Sequence, residues 1–206
     1  MKEQKLGIPL ESLAKLSRQV ISEGIVLLKN EGKALPIQKD ETVSIFGRIQ
    51  VDYYRSGMGS GGLVNVPYTI NILDGLRRKK GIYVNEELAL IYEDWVKEHP
   101  YDNAGGGWAA EPWNQLEMVL AKEQVVSAAN KSDKAIVVIG RTSGEDKDNS
   151  RGPGSYELTQ EELDMLQSVC EHFTTVIIVL NVPGIIDMSW VDSSEYGESL
   201  KSILYV

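Results

Sequence analysis

Residues 134–181 read KAIVVIGRTSGEDKDNSRGPGSYELTQEELDMLQSVCEHFTTVIIVLN, and their order decides the fold. KAIVVIG (Lys134–Gly140) and TTVIIVLN (Thr174–Asn181) are short runs rich in Val and Ile without polar alternation. That is the pattern of strands buried on both faces of a parallel sheet. Between them, LTQEELDMLQSVCEHF (Leu158–Phe173) has apolar residues at helical spacing, and Thr159 followed by Glu162 makes a capping box at its start. Strand, helix, strand is a crossover joining parallel neighbours. The unit predicts an α/β domain whose ligands gather in loops beyond the carboxyl ends of the strands.

Working upstream, TVSIFG (Thr42–Gly47) is another β-branched run ending in glycine, which predicts a further buried parallel strand. Helical spacing runs from Leu10 to Asn30, with Ser12 as cap, and again through Tyr68–Lys80, Glu86–Glu98 and Gln115–Lys131. Ile82–Asn85 is a short strand candidate. DNAGGGWAAEPWN (Asp102–Asn114), glycine-rich with Trp108 and Trp113, reads as a loop insertion packed on the domain. Downstream, Asp187 and Trp190 finish a strand and fill core. SILYV (Ser202–Val206) is an apolar β-run that stops on the last residue with no helix to cover it. A single α/β domain over 1–206, cut from a longer protein, is the expectation.

Composition narrows the partners. Twenty-one Lys and Arg against 30 Asp and Glu give a net charge of −9, which repels a phosphate backbone and argues against nucleic acid. Cys170 is the only cysteine, so no intrachain disulfide or cysteine metal cluster can form, and its apolar helical setting predicts a buried thiol. His99 and His172 lack partners at metal-ligand spacing, so neither metal nor cofactor is expected. No stretch approaches the ~20 apolar residues of a membrane span, and the N-terminus has no signal-like apolar core. A cytoplasmic protein is expected.

Two loops lie beyond buried strands. In YYRSGMGSGG (Tyr53–Gly62) the spacing of Gly57, Gly59 and Gly62 matches G-x-G-x-x-G. A dinucleotide site needs those glycines between the strand end and the first turn of a helix. Here RIQVDYYRS intervenes before them and LVNVP after them, so the helix dipole and free N–H groups are missing. A turn needing positive φ remains open, as does close backbone approach to some other ligand, with Ser60 offering a hydroxyl. The second loop, after Gly140, gathers Arg141, Glu145, Asp146, Lys147, Asp148 and Arg151. Carboxylates there are candidates for proton transfer or hydroxyl recognition.

SRQVISEGIVLLKNEGKALPI, TVSIFG, GMGSGG, YTINILDGL, AIVVIGRTSGEDKDN, LTQEELDML and TVIIVLNVPGIIDMSW, in this order, resemble the C-terminal-type α/β sandwich domain of glycoside hydrolase family 3. The resemblance runs from about Ser17 to Val206. It implies a mostly parallel sheet between helices, truncated at its C-terminal end, that works beside a (β/α)8 barrel of the same protein. It also implies hydrolysis of β-glucoside-like substrates with retention. The barrel would supply the nucleophile, and the sandwich an acid/base glutamate from an S-G-E-G loop. Ser143, Gly144 and Glu145 match that pattern, which makes Glu145 the catalytic candidate. Asp146 replaces the second glycine, and Asp148 and Asn149 stand where the family often has Asp-Arg. On the same resemblance Gly59, Ser60 and Gly61 face the sugar pocket, with Arg141 and Asp148 as further substrate-binding candidates. The short polar lead before Ser17 suggests the order sandwich first, barrel second. A nucleotide-binding domain and a noncatalytic carbohydrate-binding domain are the alternatives.

Overall fold

The computed structural model describes residues 11–54, 68–108, 110–142, 144, 147–193 and 196–206. A six-stranded sheet runs through them in the order β1-β6-β5-β4-β2-β3. Its strands are β1 (Val26–Asn30), β2 (Thr42–Phe46), β3 (Tyr83–Val84), β4 (Lys134–Gly140), β5 (Val176–Asn181) and β6 (Leu200–Tyr205). All neighbours are parallel except β1, which pairs antiparallel with β6, Val26 opposite Tyr205. Helices are α1 (Glu11–Gly24), α2 (Ile72–Arg77), α3 (Glu86–Glu98), α4 (Lys122–Lys131) and α5 (Gln160–His172).

Because side chains alternate across a strand, β4 and β5 feed two cores. Ala135, Val137 and Ile139 with Val176, Ile178 and Leu180 meet Tyr92 of α3, Val125 of α4 and Leu166 and Val169 of α5 on one face. Ile136, Val138, Ile177 and Val179 meet Ala34, Ile49 and Leu73 of α2 on the other. Every residue of β4 and β5 is buried, as continuous apolar runs require. Cys170 lies in the first core, and burial pushes its thiol up to about 12. The sheet and its order bear out the α/β class and the β4–α5–β5 crossover. Thr159 caps α5 as read, its hydroxyl accepting from the Glu162 N–H while the Glu162 carboxylate accepts from the Thr159 N–H.

Four elements differ from the sequence reading. β5 ends at Asn181, so Asp187 and Trp190 finish no strand, and Trp190 fills core from the 3-10 turn Ser189–Asp192. The helix over Leu10–Asn30 stops at Gly24, and Val26–Asn30 is the edge strand β1; apolar residues in consecutive positions satisfy a helical stripe and a strand equally. The amphipathic stretch Tyr68–Lys80 shortens to α2, with Asn71 as N-cap accepting from the Asp74 N–H. Gln115–Lys131 is helical only from Lys122. Before it, Gln115 bonds both the N–H and the carbonyl of Asp102, and the Glu117 carboxylate takes the Arg48 and Met118 N–H groups. These side-chain bonds hold the backbone out of the helix.

Candidate functional site

β2 and β4 are adjacent and parallel, Phe46 opposite Val137, so the chain leaves both at the same edge of the sheet. The turn out of β2 is shaped by Gly47. Its φ is +94°, and a Cβ there would lie 2.3 Å from the Val138 carbonyl oxygen, so only glycine fits. Its N–H donates to the Tyr92 hydroxyl at 2.9 Å. Beyond it Arg48 is buried at 1% exposure. Its guanidinium donates to Leu116 O (2.9 Å), His99 O (2.9 Å) and Asp52 Oδ2 (2.8 Å), and stands 5.4 Å from the centre of the Trp95 ring. Burial lifts the Glu117 carboxyl to about 7, opposed by the N–H donors of Met118 and Arg48.

Beside this buried network stands Tyr54, the last described residue before the glycine loop. The Tyr54 hydroxyl accepts from the Gln115 N–H at 3.1 Å, and its ring meets Tyr101 edge-on, centroids 6.0 Å apart. Burial holds that hydroxyl well above its ordinary pKa. Tyr54 also reaches the end of β4, where a Cβ on Gly140 would lie 3.0 Å from the Tyr54 ring and 2.9 Å from Ile49. The absent side chain at Gly140 therefore lets the roots of the two loops touch.

After Gly140 the second loop is held from both sides. Arg141 donates through Nε to Ser155 O (2.9 Å), through Nη1 to Gly140 O and Glu162 Oε1 (2.8 and 2.6 Å), and through Nη2 to Glu157 O and Glu162 Oε2 (3.0 and 2.8 Å). A guanidinium has five N–H donors, and all five are used. Arg141 thus ties β4 to the start of α5 and has no donor left for a substrate. Thr142 bonds the insertion instead: its N–H donates to Trp113 O (2.7 Å) and its hydroxyl to Pro112 O (2.6 Å). Lys147 donates to Glu111 O, and its ammonium lies 4.9 Å from the centre of the Trp113 ring. Burial lowers its pKa, with the Glu111 charge acting the other way.

Asp148 is exposed, open to a ligand. Glu145 and its neighbours Ser143 and Asp146 lie outside the described residues, as do Gly59, Ser60 and Gly61. The structure brings together the roots of their two loops. Among the described residues no group of three His, Cys, Asp or Glu side chains could hold a metal ion. Trp113 packs as expected, whereas Trp108 is 58% exposed. Farther along the same edge is an open cleft of about 690 Å³, between Asn149–Arg151 and Ile185–Ser189. Sequence reasoning passed over Arg48, Tyr54 and Glu117. For Arg48 and Tyr54 the one signal was RIQVDYY, an arginine and two tyrosines directly beyond a buried strand, which does not mark either as buried; Glu117 had none.

Comparison with known proteins reaches the same region of family space. Residues 25–206 match the description Glycosyl hydrolase family 3 C-terminal domain. A Beta-glucosidase of Ruminococcus albus is 50% identical over 174 residues, which is 84% of this chain and 18% of that protein. Beta-glucosidase A of Butyrivibrio fibrisolvens is 32% identical, over 85% and 23%. The solved β-glucosidase from Paenibacillus barengoltzii superposes with a TM-score of 0.93 at 55% identity, over 97% of this chain and 22% of that one. Thermotoga neapolitana β-glucosidase 3B, solved with α-D-glucose, gives 0.79 at 29% identity. The chain therefore spans about a fifth of the length of these relatives. With the match covering all six strands and half of 174 aligned residues identical in one of these relatives, this chain belongs to glycosyl hydrolase family 3, within its C-terminal domain.

Proposed function

We propose that this chain is the sandwich part of a retaining β-glycosidase acting on β-glucoside-like substrates, and that Glu145 is its acid/base residue. One observation carries the reading: the loop that bears Glu145 springs from the end of β4 against the root of the glycine loop, with Tyr54 packed on Gly140. A site at the carboxyl end of parallel strands, built from two anchored loops, is where such a sheet presents reactive groups.

In the proposed chemistry Glu145 first donates its proton to the glycosidic oxygen as the bond to the anomeric carbon breaks. It then takes a proton from the water that releases the sugar. A second carboxylate, about 5 to 5.5 Å away in retaining enzymes, attacks the anomeric carbon in the first step, as the leaving group departs, and the water of the second step displaces it from that carbon. That group is proposed to come from a (β/α)8 barrel of the same polypeptide. The acid must hold its proton near neutral pH, so nearby unpaired cations would work against it. Arg141 is neutralised by the Glu162 carboxylate, and Lys147 is drawn onto Trp113 and the Glu111 carbonyl. Gly59, Ser60 and Gly61 are proposed to let the backbone approach a sugar hydroxyl, and Asp148 to accept a hydrogen bond from another.

Kinetics of the complete enzyme carrying this chain test the reading. Glu145→Gln should lower kcat on unactivated glycosides by roughly 100- to 10,000-fold, the usual contribution of general acid–base catalysis, with KM little changed. Unchanged kcat would remove Glu145 from the mechanism. The 206-residue chain alone should not hydrolyse p-nitrophenyl β-glucoside above the level of its own Glu145→Gln variant.

A further inference from the structure

Helix α1 is amphipathic but leaves its apolar stripe bare. None of its residues is buried, and Leu13, Leu16, Val20 and Ile21 are each more than half exposed. The stripe runs straight into β1, where Val26, Leu27 and Leu28 are also at least half exposed. Successive strand residues point to opposite faces, so this edge strand is uncovered on both sides. A helix of about 14 residues with nothing to pack against is marginal in water, and a continuous apolar patch of this kind marks an interaction surface.

The family match begins at Ile25, immediately after α1. The likeness to the Paenibacillus structure takes in 97% of this chain and so extends into α1. The helix thus keeps its place in a much longer polypeptide while standing outside the matched domain. We propose that the α1–β1 face is the docking surface for the remainder of such a polypeptide, which lays aliphatic side chains over the stripe. The proposal rests on the reading of this chain as one domain of a larger glycosidase. Two copies of this chain, each carrying −9, would repel one another. A covalently attached domain arrives at high effective concentration.

The test places a thiol on the stripe with Val20→Cys, and on the opposite side of α1 with Lys15→Cys. Cys170, buried and only 6% exposed, stays silent. Labelling by a maleimide is timed in the 206-residue chain, and in the same chain grafted in place of its counterpart in the Paenibacillus β-glucosidase. The Val20→Cys thiol should react freely in the short chain and at least about 100-fold more slowly in the graft, while the Lys15→Cys thiol reacts freely in both. Equal rates for Val20→Cys in the two settings would overturn the proposal. So would slow labelling in a short chain that light scattering shows to be a dimer, since a second copy would then be the occupant. Amide exchange on the short chain is the second arm: α1 should exchange freely while β4 is protected, and a protected α1 in a monomer would show that it needs no partner. Hydrolysis by the graft is read separately. A covered stripe without hydrolysis defeats the glycosidase reading alone, and an open stripe in a hydrolysing graft defeats this inference alone.

Discussion

Arg141 and Glu162 form a buried bidentate pair, at 4% and 5% exposure. Removing one partner strands the other charge without water, which costs far more than the intact pair contributes. Arg141→Ala should therefore destabilise the chain by about 3 to 5 kcal/mol in urea unfolding. Arg141→Lys should recover only part of this, because an ammonium cannot reproduce the fork. Glu117 makes a prediction of opposite character. Its carboxyl titrates near 7 in the folded chain against 4.5 for the ordinary group, so between those values the folded state holds a proton that the unfolded state has released. Stability should then fall as pH rises from about 4.5 through 7, and stay reduced above. Urea midpoints at pH 5 and pH 8 should differ more for the parent than for Glu117→Gln, and equal differences would remove Glu117 as the cause. At this scale the sequence spoke unevenly. Glu145 could be proposed from the sequence because S-G-E is a pattern of neighbours. Arg48 and Glu117 could not, because 68 positions separate the Arg48 guanidinium from the Leu116 carbonyl it bonds and nothing local marks either as buried.

Among the elements, β2, α3, β4, α5, β5 and β6 were legible because each carries a full period of apolar residues between turn or cap signals. The errors fell where a side chain took the backbone's hydrogen bonds, as at Gln115 and Glu117, or where an apolar run suited two periods, as at Ile25–Leu28. The insertion over Asp102–Asn114 was readable as a loop but not as a support. Its role depends on Pro112 and Trp113 carbonyls that receive Thr142 across the fold. Gly47 shows how closely neighbouring elements constrain one another. Gly47→Ala would place a methyl 2.3 Å from the Val138 carbonyl oxygen in a backbone conformation that alanine resists. β2 or β4 must shift, and a loss of about 1 to 3 kcal/mol is expected. A thermal midpoint indistinguishable from the parent's would show that the strands yield freely.

For the molecule as a whole, the sheet order puts β1 on the outer side of β6, while β6 also closes one side of β5. A chain ending at Glu198 should lose both contacts, expose the β5 edge to other chains and collect in the insoluble fraction, since open apolar edges template aggregation. Recovery of that shorter chain as a soluble monomer with unchanged tryptophan emission would contradict this. The parallel core between β2 and β5 was visible in the sequence because crossovers are local. The antiparallel return of β1 was not, since its partner strand lies so far along the chain.

That separation has a cost during synthesis. Val26 emerges from the ribosome long before Tyr205, its opposite number in the sheet, and elongation at ~5 to 20 residues per second leaves a wait of roughly ten to thirty-five seconds. Through that interval Val26, Leu27 and Leu28 have no strand to join, while β2, β4 and β5 can already assemble. A nascent chain of this protein thus carries a sticky leading segment ahead of a nearly finished core, and that segment finds its partner only once β6 is released.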